Sequence, residues 1–137
     1  MDRRLRTPPQ RPLVLIVDGH EEVLALYAVA LYAMGFDVLP ARGAAEAYNR
    51  ARHLQPDIIA AILPMPADEV WELLRQLKQD VRTHDIPVVA VGGPIPQSLR
   101  ERAEWEGFAA VLPRPSVVEE LAVGLRQVIN RKIRASA

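Results

Sequence analysis

The run Pro56 to Pro66, PDIIAAILPMP, constrains the fold more than any other part of this chain. From Ile58 to Pro64 seven consecutive residues are apolar with no alternation. A strand here is therefore buried on both faces, as in the middle of a parallel sheet. Pro64 and Pro66 close it with a loop that can neither continue a helix nor donate to a ladder. In open α/β sheets polar chemistry gathers just past the carboxyl ends of the central strands. At that position this chain carries Ile62, Leu63 and Pro64, and none of them is polar.

A buried parallel strand needs neighbours, and the flanking sequence supplies them in alternation with helices. Leu13 to Val17 (LVLIV) is a β-branched-rich run stopped by Asp18-Gly19. A helix is predicted over Glu21 to Met34, with acids in its first turn and Gly35 as its stop. Strand character returns over Phe36 to Ala41, and helix over the Ala-rich stretch Ala44 to Leu54. After the central run, helical spacing of Val70, Trp71, Leu73, Leu74 and Leu77 places a helix over Asp68 to Gln79. Ile86 to Val91 is another buried strand, broken by Gly92-Gly93-Pro94. A helix from Pro96 to about Glu106, a short strand Ala109 to Leu112 and a last helix from Val117 to about Ile133 complete the pattern. Ser116 and Glu119 are spaced as the capping box of that last helix. Five strands alternating with five helices over short connections require right-handed crossovers and a parallel sheet covered on both sides, an α/β doubly wound fold.

Length and charge narrow the function classes. A chain of 137 residues builds one self-sufficient core. We read residues 13–134 as that domain and residues 1–12 as a flexible Arg/Pro-rich arm. The formal charge balances, but the first twelve residues carry four Arg against one Asp, and Arg126 to Ala137 carries four basic residues and no acid. The body between them holds nine basic and sixteen acidic residues, which argues against nucleic-acid binding by the globular part. No apolar run is long enough to span a membrane or serve as a secretory core. With no Cys there is no thiolate chemistry, and a cytoplasmic location is the simplest expectation. His20, His53 and His84 form no metal set by spacing, and Gly92-Gly93-Pro94 lacks the Lys and Ser/Thr of a phosphate loop. No cofactor is expected.

LVLIVD at 13–18, PDIIAAILPMP, VWELLRQLK at 70–78, RTHDIPVVAV at 82–91 and EGFAAVLPRP at 106–115, with ungapped spacing between them, resemble the receiver domain of bacterial response regulators. The resemblance implies a flavodoxin-like (βα)5 sheet of strand order 2-1-3-4-5. It also implies a chemistry: Mg²⁺-assisted phosphoryl transfer from a histidine kinase to an aspartate ending the third strand, aided by an acidic pair, a Thr or Ser, and a Lys. Carried over position by position, Asp18 keeps one acid, Gly19 stands for the second, Ile62 for the phosphoacceptor, Gly92 for the Thr/Ser and Arg114 for the Lys. An alkyl side chain has no nucleophilic atom, so the expectation is a degenerate pseudo-receiver. A non-standard acid such as Asp68 or Glu69 is a weak third option for phosphorylation. Asp18 is expected to pair with Arg114, since a guanidinium can hold a carboxylate without a metal, and the resemblance implies a cis bond before Pro115. Prolines after the strands (Pro40, Pro64, Pro66, Pro94, Pro96, Pro113, Pro115) are expected to stiffen the loops of that edge.

With the chemistry gone, surfaces remain. On the first helix Val23, Leu24, Leu26, Tyr27, Ala30, Leu31 and Met34 match buried positions of the family, which leaves Ala25, Ala28, Val29, Tyr32 and Ala33 outside. An apolar outer face implies a partner helix or a second copy of the domain. In the family this helix docks the helical bundle of histidine kinases or phosphotransfer proteins. Trp105, flanked by Glu104 and Glu106, is a second candidate anchor, on the face many receivers use for dimerisation. The expected function is a phosphorylation-independent protein-interaction module in two-component or related signalling. The alternative is a small-ligand sensor using the vacated cleft.

Overall fold

The computed structural model describes residues 10–92, 97–115 and 117–136. Pro94, Pro96 and Ser116 lie outside these residues. The elements run β1 (Leu13–Val17), α1 (Glu21–Ala33), β2 (Asp37–Ala41), α2 (Ala44–Leu54), β3 (Ile58–Ile62), α3 (Ala67–Gln79), β4 (Val88–Val91), α4 (Gln97–Glu106), β5 (Ala110–Leu112) and α5 (Val118–Ser136). The strands form one parallel sheet in the order β2-β1-β3-β4-β5, the flavodoxin-like order expected of the alternation.

Central β3 is buried at every position, and its period of two divides the core. Ile59 joins Leu15, Val88 and the apolar faces of α2, α3 and α4, including Ala47, Leu73 and Ala103. Ile58, Ala60 and Ile62 point the other way, against Leu24 and Leu31 of α1 and Leu121 and Leu125 of α5. A one-residue slip would exchange the side chains of the two faces, so it is the fit of Ile and Ala volumes on each side that fixes the register. Pro40 lies within β2, at the edge of the sheet, where a missing N–H is tolerated.

Helix ends are satisfied by residues far away in sequence. Helix α1 has no basic residue in its last turn, yet two guanidinium groups reach its carbonyls. Arg11 donates to the carbonyls of Tyr32 (3.1 Å) and Phe36 (2.8 Å) and to Asp37 Oδ1 (3.2 Å). From α5, Arg126 donates to the Met34 carbonyl at 2.9 Å and lies 4.5 Å from the Phe36 ring centroid. Both complement the negative end of the helix dipole. Gly35 stands there at φ 96°, a backbone conformation that glycine adopts without strain and other residues rarely do. The last residues of the arm are thus part of the folded body: Arg11 is tethered and Pro12 is buried. At the start of α2, Gly43 offers no side-chain cap, and Glu69 of α3 accepts from the Ala44 N–H at 3.2 Å.

Candidate functional site

The carboxyl edge of the sheet gathers the residues singled out from sequence. Asp18 follows β1 and is 6% exposed, and Ile62 ends β3 at 4%. Arg114 follows β5 and is exposed. Asp18, His20, Val23, Tyr27, Ile62, Leu63, Pro64 and Arg114 line one cavity of about 240 Å³. Its apolar lining comes from Val23, Ile62, Leu63 and Pro64, and its polar lining is a carboxylate, an imidazole, a phenol and a guanidinium. Burial pushes the Tyr27 phenol above its ordinary value; Arg114 pulls it down and Asp18 pushes it up, so all three groups share one electrostatic environment.

The expected Asp18–Arg114 pair does not form. Asp18 Oδ1 accepts the His20 backbone N–H at 2.8 Å and lies 3.0 Å from His20 Nδ1. Arg114 instead donates to the Leu63 carbonyl at 3.0 Å. The physical reason is locality: an Asp bonds its own backbone two residues on without ordering a second loop. His20 therefore belongs to the site, and the signal for it was the Asp-x-His spacing after β1. The cis bond expected before Pro115 is also misplaced, since the cis peptide among the described residues joins Leu63 to Pro64.

Gly19 and Gly92 differ in the room around them. A Cβ on Gly19 would have its nearest neighbour at 3.9 Å, whereas one on Gly92 would meet Leu63 Cβ at 2.8 Å. The space a larger residue 92 would need is filled by Leu63. Among the described residues no group of three or more His, Asp or Glu side chains could hold a metal ion, and no helix is long and apolar enough to cross a membrane.

The two surfaces expected from sequence are placed with one exchange. Ala25, Val29, Tyr32 and Ala33 are exposed on α1, but Ala28 is half-buried. Leu26, matched to a buried position, is instead 72% exposed. Tyr32 is 62% exposed, with Arg11 stacked 4.3 Å from its ring centroid. Trp105 on α4 is 89% exposed. It does not fold onto Phe108, whose ring meets Trp71 edge-on at 5.9 Å.

A five-stranded parallel sheet of this order, with its cavity at the carboxyl edge, defines the CheY-like class of flavodoxin-like domains. Chemotaxis protein CheY4 of Vibrio cholerae matches it with a TM-score of 0.78 at 20% identity, over 86% of this chain and 98% of that one. At that identity the likeness speaks for the fold alone. In sequence, the chain is 30% identical over 122 residues to the DNA-binding dual master transcriptional regulator RpaA of Synechocystis sp., covering 88% of this chain and 50% of RpaA. It is 29% identical over 102 residues to the polar-differentiation response regulator DivK of Brucella ovis, covering 74% of this chain and 83% of DivK. The chain thus spans half the length of RpaA. No family model matches it. Its sequence relatives and its fold are both similar to response regulators and their receiver domains.

Proposed function

We propose that this domain is a pseudo-receiver, a phosphorylation-independent protein-interaction module of two-component or related bacterial signal transduction. The observation that carries the reading is Ile62. At the carboxyl end of the central strand, where a receiver forms its phosphoaspartyl bond, the cavity is lined by an alkyl side chain without a lone pair. The surrounding residues agree. A magnesium ion wants near-octahedral oxygen ligands, and Asp18, Gly19 and Ile62 offer one carboxylate, with Oδ1 already engaged by His20. These residues do not fit the ion. Of the alternative acids, Glu69 serves the N-terminus of α2, and Asp68 sits in the first turn of α3, where a carboxylate complements the helix dipole.

The function then resides on the outer face of α1 and around Trp105, which meet a protein partner such as the helical bundle of a histidine kinase or phosphotransfer protein. Incubation with acetyl phosphate and Mg²⁺, followed by intact-mass measurement, leaves the mass unchanged on this reading. A gain of one phosphate overturns it. The cavity itself favours a second reading, a sensor of a small anion held by Arg114 and Tyr27. Inorganic phosphate raising the melting temperature of the wild type but not of Arg114→Ala would support it, and no shift in either would remove it.

A further inference from the structure

Helix α1 is uncharged from Val23 to Met34, although only Leu24 and Leu31 of that helix are fully buried. Leu26, Val29 and Tyr32 are 72%, 74% and 62% exposed, and Ala25 and Ala33 are exposed beside them. Glu22, Ala25, Leu26, Val29, Tyr32 and Ala33 recur at three- and four-residue spacing. They form one stripe with the period of a coiled-coil seam. Ala25 and Ala33 keep the stripe low enough for a second helix to approach closely.

Charge appears only at the ends of the stripe, with opposite sign. At the N-terminal end stand Glu21 and Glu22, both exposed. Neither is in an ion pair with another described residue. At the C-terminal end Arg11 covers the Tyr32 ring and Arg126 holds the Met34 carbonyl. Against them stands Asp37, paired with Arg11, so this end is net positive.

We propose that this stripe is an isologous contact with a second copy of the chain, the two α1 helices packing antiparallel about a twofold axis near Leu26 and Val29. A twofold places Glu21 and Glu22 of one copy opposite the arginine end of the other, twice over, and opposes the helix dipoles favourably. A parallel pair would bring like charges together. The polarity that the contact needs in a partner, acidic at one end and basic at the other across an uncharged seam, is the polarity this helix has. With 13 residues, α1 is about 20 Å long. A seam of that length is at the small end of stable interfaces, so the dimer is in exchange with the monomer. The inference shares with the interaction-module reading only the premise that α1 is a docking face, and makes no use of the cleft.

Sedimentation velocity of the full chain from micromolar to millimolar concentration tests it. Wild type is expected to associate reversibly into a dimer. Val29→Asp, at the centre of the stripe, and Glu22→Arg, at its end, should each raise the dissociation constant, Val29→Asp by about tenfold or more. Val81→Ala, at an exposed position away from both surfaces, should leave it unchanged. All three positions are exposed, and far-UV circular dichroism checks that each variant is folded. A wild type that stays monomeric throughout overturns the inference. So does a dimer that survives Val29→Asp and dissolves with Trp105→Ala, which would place the contact on α4. A monomer that gains no phosphate refutes the dimer alone, and a dimer that gains phosphate refutes the pseudo-receiver alone.

Discussion

Replacing Ile62 by aspartate puts a carboxyl group at the end of β3, and the structure sets what that costs. Ile62 is 4% exposed and packs in the cluster between the sheet, α1 and α5. Its burial is worth about 2 kcal/mol by area, and truncation to Ala adds the energy of the cavity left behind. Because the side chain also borders an existing cavity, Ile62→Ala belongs at the lower end of the usual range, about 2–3 kcal/mol. Ile62→Asp loses the same contacts and adds a desolvated carboxyl. Desolvation raises the folded-state pKa of that carboxyl above its unfolded value, so the variant is least penalised below about pH 4 and loses stability as pH rises through the folded pKa. For a domain of this size, about 3 kcal/mol lowers the melting temperature by roughly 10 °C. Urea titration of wild type, Ile62→Ala and Ile62→Asp near pH 4 and near pH 7 measures each contribution. The reasoning fails if Ile62→Asp is as stable as wild type at neutral pH, or if its deficit shrinks as pH rises.

Three further outcomes follow from particular contacts. Arg126→Ala removes a charged hydrogen bond to the end of α1 and a ring contact with Phe36, and should cost about 2 kcal/mol in chemical denaturation; Arg126→Lys should recover only part, because one ammonium cannot stack and donate in the same geometry. Thr83 is fully buried and its hydroxyl donates to the Leu77 carbonyl at 2.7 Å near the end of α3, so Thr83→Val should lose about 1–2 kcal/mol in urea titration and Thr83→Ser should retain the bond. The Arg82 backbone N–H, the Arg82 guanidinium and the Tyr48 hydroxyl hold the Asp80 carboxyl far below the ordinary carboxylate range. A depressed folded-state pKa stabilises above the unfolded value near 4 and the benefit is lost as pH falls below it; Asp80→Asn should therefore be less stable than wild type at neutral pH and should narrow that gap in acid.

Much of the architecture was legible because burial leaves a signature in composition. The uninterrupted apolar run around β3 pointed to the middle of a covered parallel sheet, and β1 and α2 have the bounds their apolar residues and Gly/Pro punctuation mark, while β3 ends at Ile62, two residues before the apolar run does. The site was legible as a set of positions but not as a set of bonds. Asp18 could be placed after β1, yet its choice of His20 over Arg114 depended on a two-residue turn being easier to order than two separate loops. Leu26 was misread because helical spacing offers a wide apolar arc and cannot say which part of it the sheet covers. The bond from Arg126 to Met34 joins residues 92 apart, and no local pattern announces it.

The close approach of Gly92 and Leu63 bears on the routes by which this sequence can change. Any side chain at 92 begins with a Cβ, and that atom already collides with the Cβ of Leu63. Alanine at 63 does not relieve the collision, since alanine keeps the colliding atom. Position 92 is thus held at glycine while residue 63 carries a Cβ, and a side chain fits there only once the chain near 63 shifts or residue 63 is itself glycine. The two positions are coupled, so what is tolerated at 92 depends on what stands at 63.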